Sequence, residues 1–171
     1  FMRSIDEMLV SPMPPWLIIA GFVAGGVIRG VLVGTLVMLV SLFFTGLHLA
    51  VFNLFIIFVF AIMTAIVFAL AGLVNGVYAK SIDGINIVPT FVLTPLVYLG
   101  GVFYSVHSLP GWAQLITYVN PIFYLINGFR FGFLGQADIT LWISFAVLGT
   151  MTIVLVAINW YLIRTGLGLK Q

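Results

Sequence analysis

The charges of this chain stand far apart. Between Arg3, Asp6, Glu7, Arg29, Lys80, Asp83, Arg130, Asp138, Arg164 and Lys170 run long stretches of almost unbroken apolar sequence. That spacing constrains the fold more than any other feature. Charged residues are 6% of the chain, against about 25% in water-soluble domains. With 63% apolar residues, too much hydrocarbon surface exists for any aqueous core to take in. Lipid must solvate most of it, and in lipid the backbone must satisfy its own hydrogen bonds, as helices do. The fold class is therefore an all-α membrane protein.

The runs divide into spans. Residues 1–14 hold Arg3, Asp6 and Glu7 beside Met2, Ile5, Met8 and Leu9, which fall near helical spacing. This reads as a short amphipathic helix outside the bilayer, stopped by Ser11-Pro12-Met13-Pro14-Pro15 because proline lacks an N–H. Residues 16–46 are apolar except for Arg29. At about 1.5 Å per residue they reach about 46 Å, more than one upright crossing of a core about 30 Å thick. Trp16–Ile28 is expected to lie at or enter through the cytoplasmic interface, Arg29 to snorkel to the headgroups or to contact a lipid phosphate or a passing anionic group, and Gly30–Gly46 to cross. Residues 52–77 form a second span, and 78–84 a polar break. A third, 85–104, is interrupted by Pro89 and Pro95, and a fourth is 141–163.

Residues 105–136 fit neither loop nor span. They are apolar, yet Pro110-Gly111 and Asn120-Pro121 break them into pieces shorter than the roughly 20 residues a crossing needs. Two short helices that dip in and return, an outer re-entrant hairpin, satisfy this. Orientation agrees with four spans. Both termini and the Lys80 loop then share the side holding Arg3, Lys80, Arg164 and Lys170, which the positive-inside rule makes cytoplasmic. Arg130 lies opposite and needs a partner. An ion pair with Asp138 and a contact with lipid phosphate would each provide one.

Several chemistries are excluded or unsupported. The six basic residues form no patch for nucleic acid. There is no cysteine, and His48 and His107 stand alone, whereas zinc needs three or four convergent ligands; no metal site is expected. The sequence holds no G-x-x-x-x-G-K-[ST] phosphate loop and no spacing that suggests a catalytic triad, so no catalytic residue and no bound cofactor are expected. Thr35, Ser41, Thr64, Asn75, Asn86, Thr90, Thr94 and Asn159 are polar within spans but uncharged. They bond to neighbouring helices or line a path for polar cargo. Gly26, Gly30 and Gly34 repeat every four residues, as do Ala61, Ala65 and Ala69. Such stripes bring helix backbones close in lipid, inside one subunit or across a dimer seam. Trp112, Tyr118, Phe123, Tyr124, Phe129, Phe131 and Phe133 crowd the hairpin, as in an interfacial aromatic belt.

The order of these elements resembles a known family. A charged helix ends in Leu9-Val10-Ser11-Pro12. Gly84-Ile85-Asn86 leads to Leu93-Thr94-Pro95-Leu96, then come Gly100-Gly101-Val102-Phe103, Leu109-Pro110, Asn120-Pro121, Arg130 and a final helix. This is similar to the permease subunit of ABC-2 type (type V) ABC exporters, in particular the bacterial nodulation-factor and drug-efflux group. The resemblance implies a multi-pass protein of the bacterial inner membrane, with six transmembrane helices per subunit. This chain would supply four and lack the amino-terminal interfacial helix and the first two spans. It implies a homodimer, surrounded by membrane lipid, with a separate ATPase subunit that uses ATP and Mg²⁺; the permease is not itself an enzyme. It implies that Arg3, Asp6, Glu7, Ser11 and Pro12 belong to a coupling helix that docks on the ATPase. Gly101, Phe103, Leu109, Pro110, Trp112, Asn120, Pro121 and Arg130 would belong to re-entrant helices that close the exit. The function expected is export of an amphipathic, lipid-linked or drug-like substrate. An ATP-independent channel or secondary transporter would show internal repeats or charged mid-membrane sites. A non-transporting assembly factor would show no cargo-dependent ATPase stimulation.

Overall fold

The computed structural model describes residues 14–44, 51–79 and 82–165. The proposed coupling helix, residues 1–13, and His48, Lys80 and Lys170 lie outside the described residues. No strand is present among the described residues. Three helices are long and apolar enough to cross a membrane: α1, Pro15–Phe44; α2, Leu54–Tyr78; and α7, Leu141–Thr165. The second and last fall within two residues of the bounds expected from hydropathy.

Between α2 and α7 the chain is shorter-stepped. Helix α3, Ile82–Ile87, runs into a π-helical stretch, Val88–Leu93, and then α4, Thr94–Tyr98. The helical run therefore ends at Tyr98, six residues before the expected Tyr104. Two prolines explain its form. Pro89 and Pro95 supply no N–H, so the ladder slips to a wider turn, and the Thr94 hydroxyl donates to the Pro89 carbonyl at 3.1 Å. Gly101, at φ +82°, then turns the chain in a conformation that side chains disfavour. A 3₁₀ turn, Val106–Ser108, leads to α5, Gly111–Val119, and α6, Pro121–Leu134. Both are too short to span, as the breaks at Pro110 and Pro121 predicted.

Local capping sets the boundaries of α6. The Asn120 side chain accepts from the Ile122 N–H at 3.0 Å, and Pro121 sits in the first turn, where its missing N–H costs nothing. Gly135, at φ +70°, ends the helix in the left-handed conformation. The nitrogen of the same side chain, Asn120 Nδ2, donates to the Leu96 carbonyl at 2.6 Å. That carbonyl is a helix-end orphan, because the Gly100 N–H bonds Val97 instead.

Helix α2 is the centre of the bundle and packs on α1, α6 and α7. Its amino-terminal half meets α6 through glycines. A Cβ on Gly128 would lie 2.1 Å from the Phe60 ring, and one on Gly132 would lie 2.4 Å from Ile57 Cγ1. Asn53 N–H adds a backbone bond to the Gly132 carbonyl at 2.8 Å. Phe60, Leu125 and Leu148 form the buried cluster there. Toward the other end Ile19, Leu70 and Leu73 form a second cluster.

The α1–α2 seam uses the small-residue stripes. A Cβ on Gly26 would lie 2.6 Å from Ala69 Cβ, and one on Gly30 would lie 3.1 Å from Ala65 Cβ. At Gly34, by contrast, none of the described residues stands within 4 Å of the Cβ position.

This seam also moves Arg29. The antiparallel register pairs residues that sum to 95 (26 + 69, 30 + 65), so Arg29 is level with Ile66. Ile66 is the central residue of α2, 12 from Leu54 and 12 from Tyr78. At about 1.5 Å per residue this is about 18 Å from either end. The sequence placed Arg29 at the cytoplasmic headgroups. Arg29 stands midway along the unbroken α1 and level with the middle of α2.

Candidate functional site

The densest polar structure lies where α6 hands over to α7. Arg130, in the last turns of α6, forms an ion pair with Asp138. Its other terminal nitrogen donates to the carbonyls of Gly101 at 2.6 Å and Tyr104 at 2.8 Å. One planar guanidinium thus holds three acceptors from two segments, the geometry arginine suits best. The side chains of Arg130 and Asp138 are only 17% and 9% exposed, so neither charge relies on water.

Asp138 gathers the same two segments from the other side. It accepts from the Ser105 hydroxyl at 2.7 Å and from the Val106 N–H at 3.1 Å. Burial raises its pKa, but the Ser105 and Val106 hydrogen bonds and the Arg130 charge together outweigh that effect. They hold the carboxyl below the usual aspartate value. His107 Nε2 lies 3.1 Å from the Asp138 carbonyl oxygen.

Asn127 completes the arrangement. Its side-chain oxygen accepts from the backbone N–H of Asp138 at 2.8 Å and of Ile139 at 3.3 Å. Its amide donates to the Ile139 carbonyl at 3.1 Å and to Ser144 Oγ at 3.0 Å. Asn127 is 1% exposed, and every polar atom of its side chain is used. The turn at 99–108, α6, the α6–α7 connection and the first turns of α7 are therefore clasped by one network. Its members attract, align and close; none is placed to activate a nucleophile. No group of three potential metal ligands exists among the described residues.

The expected gate residues divide. Arg130 and Gly101 meet in the network, and Asn120 and Pro121 set the start of α6. Pro110 caps α5, and the Leu109 carbonyl accepts from Gln114 Nε2 at 2.9 Å. Phe103 and Trp112 are not in the cluster: they are 75% and 72% exposed, and Phe103 stacks on Tyr98 at 5.8 Å. The sequence reading missed Asn127, Ser105 and Ser144. Asn127 stands three residues before Arg130, one helical turn along the same face, and that spacing was the available signal.

Polar groups within the spans mostly serve packing. Asn75 donates to the Ile85 carbonyl at 2.8 Å, and Asn159 to those of Leu70 at 3.0 Å and Leu155 at 2.8 Å. Thr64 bonds its own helix at Phe60, at 2.6 Å.

Comparison with known proteins agrees with the order of these elements. The model of the family described as "ABC-2 type transporter" matches residues 1–134. The inner membrane transport permease YadH of Escherichia coli K12 is 50% identical over 171 residues, all of this chain and 66% of that protein. The same permease of E. coli O157:H7 and of Shigella flexneri matches to the same extent. The chain thus spans about two thirds of the length of these relatives. Span-length apolar helices, a short helix clasped to the turn before it and the helix after it, and a match over residues 1–134 lead to one assignment: the chain belongs to the ABC-2 type transporter membrane-domain family.

Proposed function

We propose that the chain is the membrane-spanning part of a permease subunit in an ATP-powered exporter of the bacterial inner membrane. Family membership is the observation that carries this reading; the relatives' description as inner membrane transport permeases supports its location. The permease works with a second copy of itself and with a separate ATPase subunit, which binds ATP and Mg²⁺. Arg3, Asp6, Glu7, Ser11 and Pro12 form the contact with that ATPase. Nucleotide-driven approach of the two ATPases moves this contact and biases the spans between two arrangements. The Arg130–Asp138 network holds the outer end closed between cycles, and an amphipathic, lipid-linked or drug-like molecule leaves when it opens.

The test is transport by the full-length permease with its ATPase in inverted membrane vesicles. Uptake into the vesicles that requires ATP is expected. Changing Asp6 and Glu7 together to lysine is expected to leave ATP hydrolysis and abolish its coupling to uptake. Flux that proceeds equally without ATP would return the channel reading and overturn this one.

A further inference from the structure

The proline-interrupted run Ile82–Tyr98 is held at its ends and open between them. Residues 86–92 are all exposed, and α4 is the part of the run that packs closely on another helix, α6. Each end carries a carbonyl that the run's own ladder leaves unfilled. Pro89 has no N–H, so Ile85, four residues earlier, lacks its α-helical donor. The Asn75 amide of α2 donates there at 2.8 Å. Leu96 lacks one because the Gly100 N–H turns to Val97, and Asn120 donates there at 2.6 Å.

The two ends are not held alike. Gly100 is seated so closely on α6 that a Cβ would lie 2.8 Å from Ile126 Cδ1 and 3.2 Å from Ile122 Cγ2. Arg130 then bonds the Gly101 and Tyr104 carbonyls. The α4 end is thus fixed to α6 at several points. At the other end Asn75 and Ile85 are half-buried, and the bond between them joins two neutral groups, a kind that contributes little in a bilayer.

Between the ends lies the π stretch Val88–Leu93. The Thr94 N–H reaches back five residues to the Pro89 carbonyl, and its hydroxyl adds a bond at 3.1 Å. Pro95 leaves one carbonyl without a helical donor in either winding: that of Thr90 with five-residue bonds, that of Phe91 with four-residue bonds. The two windings are therefore close in hydrogen bonding. They differ in geometry. A π turn takes one residue more, so a change to α winding rotates one end against the other by about 100°, the angle of one residue.

We propose that Ile82–Tyr98 is a latched rotary strap. Its α4 end stays with α6, Asn75 latches its α3 end to α2, and the π stretch is the joint, which takes up α winding when the latch opens. Asn75 is thereby a positioning residue that sets which face α3 presents. Tyr78 ends α2 only four residues before Ile82, so α3 turns in place instead of swinging away.

The experiment uses the full-length permease, with and without its ATPase, in phosphatidylcholine nanodiscs. Cysteine pairs in a background free of other cysteines carry nitroxide labels, and pulsed electron spin resonance reads the distances. Ile87 with Tyr161 reports α3 against α7, and Val97 with Trp142 reports α4; all four side chains are exposed. One distance should dominate each pair in the unaltered protein. Asn75→Leu should raise the population of a second α3 distance about threefold and leave the α4 pair unchanged. The second distance should differ by about 5–10 Å, as a turn of about 100° on a helix about 10 Å across requires. Asn75→Ser, too short to reach Ile85, should do the same, and it carries the test should Asn75→Leu fail to assemble. Deleting Val92 removes the extra residue of the joint, so the run takes α winding with both ends facing as before. Added to either variant, the deletion should abolish the second distance. An α3 distance untouched by both Asn75 variants overturns the latch. Equal shifts in both pairs show a run that moves as one rod and overturn the joint, as does a second distance that survives loss of Val92. ATP-dependent uptake alongside either overturning result leaves the permease reading standing. The expected distances without ATP-dependent uptake by the unaltered assembly keep the strap and overturn that reading.

Discussion

Helix α6 buries six of its 14 residues, whereas α1 buries one of its 30, Ile19. The short helix is the more polar of the two, with Asn127 and Arg130 in its interior turns, and the long one is apolar almost throughout. In water this order would be reversed. In lipid the apolar face needs no cover, and burial is left to the groups hydrocarbon cannot satisfy. The two helices also meet α2 differently. Helix α6 adds buried polar bonds to a glycine seat, while α1 meets α2 through two glycine–alanine contacts and the apolar cluster of Ile19, Leu70 and Leu73.

That contrast can be broken by substitution, with thermal unfolding of the purified protein in detergent as the measure. Asp138→Ala should have the largest effect, about 3–5 kcal/mol, since it leaves the guanidinium of Arg130 buried and uncompensated. Arg130→Ala alone should cost a similar amount, and the double variant less than the sum of the two. Ser105→Ala removes one hydrogen bond to a charged acceptor, and about 1.5–3 kcal/mol is expected. Gly128→Ala forces a methyl into the Phe60 ring and should cost about 1–3 kcal/mol; trimming the ring with Phe60→Leu should recover part of it.

Acid sharpens the comparison further. The folded Asp138 has a lowered pKa, so its contribution is present above the ordinary aspartate value and is lost as pH falls through the lower, folded one. Hydrogen exchange at the Val106 amide, which donates to Asp138, should therefore accelerate only in strong acid. In Asp138→Asn the exchange should be fast at neutral pH and lack that acid step. The smallest effect should come from α1. Leu36→Ala, at a side chain 60% exposed, should shift stability by no more than about 0.5 kcal/mol. A large loss there would mean that α1 is covered by protein rather than lipid.

The spans were legible because their signal is one-dimensional: length and apolarity alone give α2 and α7, and the prolines at 89, 95, 110 and 121 mark where the chain turns or changes pitch. Arg130 was legible as a residue in need of a partner, with Asp138 eight positions on. The partners from Ser105, Val106 and the Gly101 and Tyr104 carbonyls were not, since a turn more than twenty residues earlier has no periodic tie to α6. The level of Arg29 along the bundle was not legible for a related reason. Hydropathy reports which residues lie in lipid but carries no register, and only the seating of Gly26 and Gly30 on Ala69 and Ala65 sets Arg29 level with Ile66.

Gly128 and Gly132 have a mechanical consequence. With only backbone on one side of the joint and Phe60 and Ile57 pressed against it, no rotamer change can take up slack between α2 and α6. A tilt of α2 would pass to α6 with little slack. The two helices form a bell-crank, whose long arm crosses the membrane and whose short arm ends at Arg130.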